Sequence, residues 1–192
     1  LTGDLFALAT CNEIGQRRLL DMMQEFKINN LKSISNFILE KSYQATVDKI
    51  IKLPKESASG LMTIDGYDTP IKIQIKVTIY DKKIVCDFTG TSPVDKKGIN
   101  VPLVYTKAYT CFALKCAVAP NIPNNAASLL PFETYAPDNS IVNAVHPAPV
   151  ALRHVIGHFI PDTIFNALNK ILPNSVPAEG AGTLCNFQVS TY

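Results

Sequence analysis

The clearest pattern of hydrophobic and polar positions lies in residues 70–100. Ile71, Ile73, Ile75, Val77 and Ile79 fall on one side, and Lys72, Gln74, Lys76, Thr78 and Tyr80 on the other. Period two with β-branched residues on one face describes a half-buried strand. Five such side chains, at roughly 1.5–3 kcal/mol each when fully buried, fix both register and face. Asp81-Lys82-Lys83 breaks the run, and Ile84-Val85-Cys86-Asp87-Phe88 resumes it. The stretch predicts an antiparallel hairpin, although the break lacks the Asn-Gly or Asp-Gly pair of the strongest hairpin signal.

Before the hairpin the apolar spacing changes to three and four. Glu13 to Phe26 reads as a helix, Asn29-Asn30 as an interruption, and Leu31 to Leu53 as a second helix that Pro54 ends. Lys55 to Gly60 reads as a polar loop, Leu61 to Ile64 as a short strand and Asp65-Gly66 as a turn. After it, Leu103 to Ala119 predicts a helix stopped by Pro120. Residues 120–149 form a long connection rich in Pro and Asn, with one short strand expected at Ser140 to Asn143. A final helix is expected from Arg153 to Leu172, with Pro161 kinking it or starting a second piece. No βαβ unit repeats. The order predicts an α+β fold, an antiparallel sheet built on the central hairpin and covered by helices. Residues 1–54 are expected to form a helical part and residues 60–192 an α+β part of one region.

Composition narrows the class. Of 192 residues, 47% are hydrophobic and 18% charged, which indicates a folded chain. A net charge of +2, with lysines spread out or merely paired, gives no argument for nucleic acid or an anionic membrane surface. Three of the five cysteines lie within apolar stretches and no CxxC occurs, which predicts buried, reduced thiols and a cytoplasmic setting. No apolar run reaches the ~18 residues of a membrane span, and no signal peptide is visible. The chain enters abruptly at LTGDLFALAT, as an excised fragment would.

Candidate chemistry concentrates where the second hairpin strand ends. Thr89-Gly90-Thr91-Ser92-Pro93 sets three hydroxyls around a glycine, and Gly98-Ile99-Asn100 closes the loop. Loops at strand ends carry binding groups on many scaffolds, yet the same residues also make ordinary turns. Asp87 reads equally as a base or ligand and as a cap on backbone N–H groups. Arg153 opens a predicted helix, where a cation opposes the helix dipole, so a carboxylate partner from protein or substrate is expected. His154 and His158, four apart, face one way but lack a third donor, and no metal is expected on them. The chain has no G-x-S-x-G elbow and neither type of glycine-rich phosphate loop.

The run VCDFTGTSPVDKKGIN resembles the DFTGTS…G.IN segment of the hydantoinase B/oxoprolinase family. Four further stretches agree in order: GDLFALATCNEIGQRRL, DGYDTPIKIQIKVTI, IPNNAASLLPFETYAPDNSIVNAVHPAPV and RHVIGHFIPDTIFNALNKILPNSVPAEG. The resemblance implies part of an ATP-dependent enzyme that opens cyclic amides, or of a sister ketone carboxylase. It implies an A-type ATP-binding partner subunit, a small cyclic amide substrate, oligomer formation and a divalent metal on an upstream segment. It implies no cofactor site in these residues. Asp87, Thr89, Gly90, Thr91, Ser92, Gly98 and Asn100 match the family motif, as do Asn12, Gly15, Arg17 or Arg18, and Arg153. Of these, Asp87, Thr89, Thr91, Ser92, Asn100 and Arg153 are the candidate catalytic residues. The chain by itself is expected to be inactive, and a non-catalytic scaffold that docks the ATPase partner is the alternative role.

Overall fold

The computed structural model of the chain describes residues 1–178 and 180. Two compact units emerge, Leu1–Lys41 and Ser42–Tyr192. The first holds helix α1 (Thr2–Glu25) and the start of helix α2 (Leu31–Ile51). Helix α1 begins well before the expected Glu13. Its first three turns carry Leu5, Phe6 and Leu8, which stay exposed and therefore show no inward-facing stripe. None of the residues of α1 is buried. The division falls inside α2 because burial starts at Ser42 and continues through Thr46, Val47 and Ile50. Thr46 fixes this half of the helix by donating its hydroxyl to the Ser42 and Ser128 carbonyls, both at 3.1 Å.

The second unit is built on a four-stranded sheet with spatial order β1-β2-β3-β4. Strand β2 (Ile71–Ile79) alternates as its sequence requires, with Ile71, Ile73, Ile75, Val77 and Ile79 buried and Lys72, Gln74 and Lys76 exposed. It pairs antiparallel with β3 (Ile84–Asp87) and, on its other side, with β1 (Ser57–Ile64). Strand β1 is longer than the expected Leu61 to Ile64. Ser57 to Gly60, read as a polar loop, pair with Thr78 to Ile75 because β2 offers a full-length edge there. Gly60 lies in the strand where helix α6 (Phe159–Ile171) crosses, and a Cβ at this position would run into the Thr163 carbonyl.

Helix α3 (Leu103–Val118) packs against α6 and against strand β4 (Phe132–Tyr135). Strand β4 follows the four-residue helix α4 (Ala126–Leu129), which Asn125 caps by accepting from the Ser128 N–H at 2.9 Å. It joins β3 in parallel, so an antiparallel sheet gains one parallel edge. The strand expected at Ser140 to Asn143 is replaced by isolated bridges from Ser140 to Pro93 and Asn143. Ile141 and Val142 are nonetheless fully buried, as plugs of the loop over the core. The predicted last helix divides into the single turn α5 (His154–Gly157) and α6, with Pro161 in the first turn of the second piece, where a missing N–H leaves no bond unmade. The core joins the buried face of β2 to Phe88, Leu114, Ile160, Ile164 and Leu168. No helix among the described residues is long and apolar enough to cross a membrane.

Candidate functional site

The hydroxyl loop leaves β3 at Asp87 and continues alongside β2. Asp87 Oδ1 accepts from the Thr89 N–H at 2.8 Å and from the Thr89 hydroxyl at 2.6 Å. This is an Asx-type turn, in which the carboxylate holds its own chain two residues on. Gly90 follows with φ of +94°, a conformation that L side chains rarely adopt, and a Cβ here would press on the Gln74 amide at 2.9 Å. The turn delivers Thr91 and Ser92 to the edge of β2 beyond the last β3 pair. The Thr91 hydroxyl accepts from the Gln74 N–H at 3.1 Å and donates to the Gln74 carbonyl at 3.0 Å. Ser92 Oγ accepts from the Lys72 N–H at 2.9 Å, while the Ser92 N–H donates to the Lys72 carbonyl at 2.9 Å. The two hydroxyls thus stand in for a missing strand.

The rest of the loop meets the long connection through backbone bonds. The Val94 N–H donates to Asn139, the Ile141 N–H to Ser92 and the Leu152 N–H to Gly98, at 2.7–2.9 Å. Asn100 sits at the centre and is fully buried. Its Oδ1 accepts from the Asp95 N–H at 2.7 Å, and its Nδ2 donates toward the Asp95, Lys97 and Pro149 carbonyls at 2.9–3.0 Å. The loop and the 120–149 connection are thus parts of one hydrogen-bonded body.

Arg153 lies on the far side of that connection as the residue preceding α5. It is exposed, its Nη1 reaches only the Val150 carbonyl at 3.4 Å, and it forms no ion pair among the described residues. It faces Tyr105, whose ring stacks on Tyr109 with centroids 4.5 Å apart and rests against Gly157. Burial and the hydrogen bond with Tyr109 push the Tyr105 phenol up to about 12, against a weaker opposing pull from Arg153. This tyrosine pair was not legible in advance; Tyr105 and Tyr109 four apart on α3 were the available signal. The His154 and His158 rings meet edge to face with centroids 6.0 Å apart. Among the described residues no group of three His, Cys, Asp or Glu is placed to hold a metal ion. The described cysteines are unpaired; burial raises the Cys86 and Cys111 thiols, which opposes thiolate chemistry at both.

The model of the family described as hydantoinase B/oxoprolinase matches residues 1–192. The chain belongs to this family. It is 29% identical over 198 residues to the B component of a putative D-/L-hydantoinase from a Pseudomonas species, covering 96% of this chain and 33% of that protein. Among solved structures it is similar to the ATP-dependent caprolactamase of Pseudomonas jessenii, with TM-score 0.79, 18% identity, and coverage of 91% of this chain and 31% of the other. A second similar structure is an acetone carboxylase, with TM-score 0.65, 14% identity, and coverage of 83% and 23%. At these identities the two structures speak for the fold alone. The chain covers 33% of that hydantoinase B component and 13% of a 5-oxoprolinase from Arabidopsis thaliana, and so spans only part of the length of the curated relatives it matches.

Proposed function

We propose that the chain is part of the B-type subunit of an ATP-dependent cyclic amide hydrolase of hydantoinase or 5-oxoprolinase type. It acts with an A-type subunit that binds ATP, and a divalent metal belongs to a segment upstream of these residues. The observation that supports this most is the family match from end to end. Opening an unactivated amide ring requires an activated water, an electrophile at the carbonyl or prior phosphorylation of the amide oxygen. Asp87, Thr89, Thr91, Ser92 and Asn100 each commit polar atoms to the chain itself, Asp87 through Oδ1 and Ser92 as an acceptor, so in this reading they hold the strand end rigid. Arg153, exposed and without an ion pair among the described residues, is the group left to meet a substrate carboxylate or the amide oxygen as negative charge develops there.

The internal use of the hydroxyls also favours a second reading, a scaffold that docks the ATPase partner and shapes one wall of the site. A single experiment separates the two. The subunit assembled with its ATP-binding partner is assayed for ATP-dependent opening of hydantoin, 5-oxoproline and caprolactam, with acetone and bicarbonate as a carboxylase arm. The hydrolase reading expects ring opening that Arg153→Ala lowers by about a hundredfold, with Arg153→Lys intermediate. Full activity in Arg153→Ala supports the scaffold. Carboxylation without ring opening replaces the hydrolase. The 192-residue chain alone is expected to show no turnover.

A further inference from the structure

One face of α3 carries a pocket of about 550 Å3 that the proposed reaction does not use. Small-molecule sites span roughly 300–1,000 Å3. Its walls are largely apolar, with Val104, Phe112 and Leu129 among them, and two cations, Lys107 and Lys115, complete them. Lys115 is 7% exposed, and its ammonium donates to the Ile122 carbonyl. No Asp or Glu lines the pocket, and Lys115 has no ion pair among the described residues. A part-buried ammonium with no acidic partner among the described residues leaves a positive charge that an anion can meet. Burial lowers its proton affinity.

We propose that this pocket is a binding site for an apolar carboxylate, a medium-chain alkanoate in kind. The carboxylate supplies the missing counter-charge at Lys115 and the alkyl body fills the apolar wall. A second positive group, Lys107, favours the same sign of ligand. An alcohol of equal length lacks the charge. An amino acid released by ring opening brings an ammonium that no acidic side chain in the lining meets, so the site is distinct from one that holds such a product. Lys115 comes from α3, whereas the hydroxyl loop and Arg153 lie on other segments, so this inference does not depend on the hydrolase reading.

Calorimetric titration of the complete subunit that carries these residues with sodium octanoate, 1-octanol and 6-aminohexanoate tests it. Saturable binding of one octanoate per chain is expected, at least about tenfold tighter than either comparison ligand. Lys115→Met should weaken octanoate by about tenfold or more and leave octanol unchanged, while Lys115→Arg should retain binding. Cys116, exposed on the pocket wall, gives a readout in the unaltered chain: octanoate should slow its alkylation by iodoacetamide. No saturable binding up to about 10 mM octanoate, as for a groove built to take a polypeptide, overturns the proposal. Octanol binding as tightly as octanoate, or unprotected Cys116 at saturating octanoate, overturns it as well.

Discussion

The Thr91 hydroxyl closes a two-way bond with the backbone of Gln74, accepting at 3.1 Å and donating at 3.0 Å. A side chain here performs the work of a neighbouring strand, because β3 has already ended at Asp87. Leaving both Gln74 groups without that partner costs about 1–3 kcal/mol, reduced where water can reach them. Thr91→Val keeps the shape and removes the hydroxyl, so it should lower unfolding free energy by about 1–2 kcal/mol in urea titration, and Thr91→Ser should retain most of it. If Thr91→Val is as stable as the parent, the hydroxyl does not complete the sheet.

Asn100 tests the same idea with full burial. Its amide meets one N–H and three carbonyls, so donor and acceptor ends are not interchangeable. Asn100→Ala should cost about 2–4 kcal/mol, as a buried network losing its hub does. Asn100→Asp should cost more than that, because an oxygen then faces carbonyl oxygens where the NH2 stood. Equilibrium denaturation of the two variants checks the order. An aspartate variant more stable than the alanine variant would contradict the assigned amide orientation.

The contrast between β2 and β4 shows what the sequence could reveal. Ile71 to Ile79 alternate over nine residues with one face wholly β-branched, so periodicity alone gave the strand and its buried side. Phe132–Tyr135 is four residues long and sits among Pro and Asn, and Ile84, the partner of Phe132, lies 48 positions before it. No local pattern announces a short parallel edge added after two intervening helices. The neighbouring pair Ile141 and Val142 attracted a strand reading instead, since burial over a core and burial within a sheet demand the same side chains. The hydroxyl loop was visible by composition, but its roles were not. Thr91 and Ser92 answer to Gln74 and Lys72, 17 and 20 residues away, and only the fold sets those backbones beside them.

Gly60 and Gly15 should respond oppositely to alanine. At Gly60 an added methyl meets the backbone of α6 at Thr163 and Ala167, neither of which yields without moving the helix off the sheet. Gly60→Ala should destabilise by about 1–3 kcal/mol. At Gly15, inside α1, nothing lies within 4 Å of the added carbon. There alanine should raise helicity, with a gain near ~1 kcal/mol at most. Far-ultraviolet circular dichroism with thermal melts distinguishes the two; equal effects would show that α6 does not press on β1 at Gly60.

Tyr105 makes stability depend on alkaline pH, and the direction follows from its shift. The folded phenol is held neutral up to about 12 by burial and by Tyr109, against an ordinary value of 10.0. Between those values the unfolded chain loses this proton first and the folded chain keeps it. A group raised on folding contributes stability that is fully present below its unfolded value and is lost as pH rises through the folded one. Stability should therefore fall from pH 10 toward pH 12, and Tyr105→Phe should flatten the Tyr105 share of that fall. Because the ring is only partly buried, the effect is read as a slope difference between parent and variant rather than as a fixed energy. The chain has seven tyrosines, and absorbance at the tyrosinate band should show one that ionises later than the ordinary phenols. Loss of that late step in Tyr105→Phe assigns it. Arg153→Gln should delay it further, since the guanidinium is the group that lowers the Tyr105 value. A late step that survives in Tyr105→Phe, or one that Arg153→Gln brings forward, would contradict the arrangement of Tyr105 between Tyr109 and Arg153.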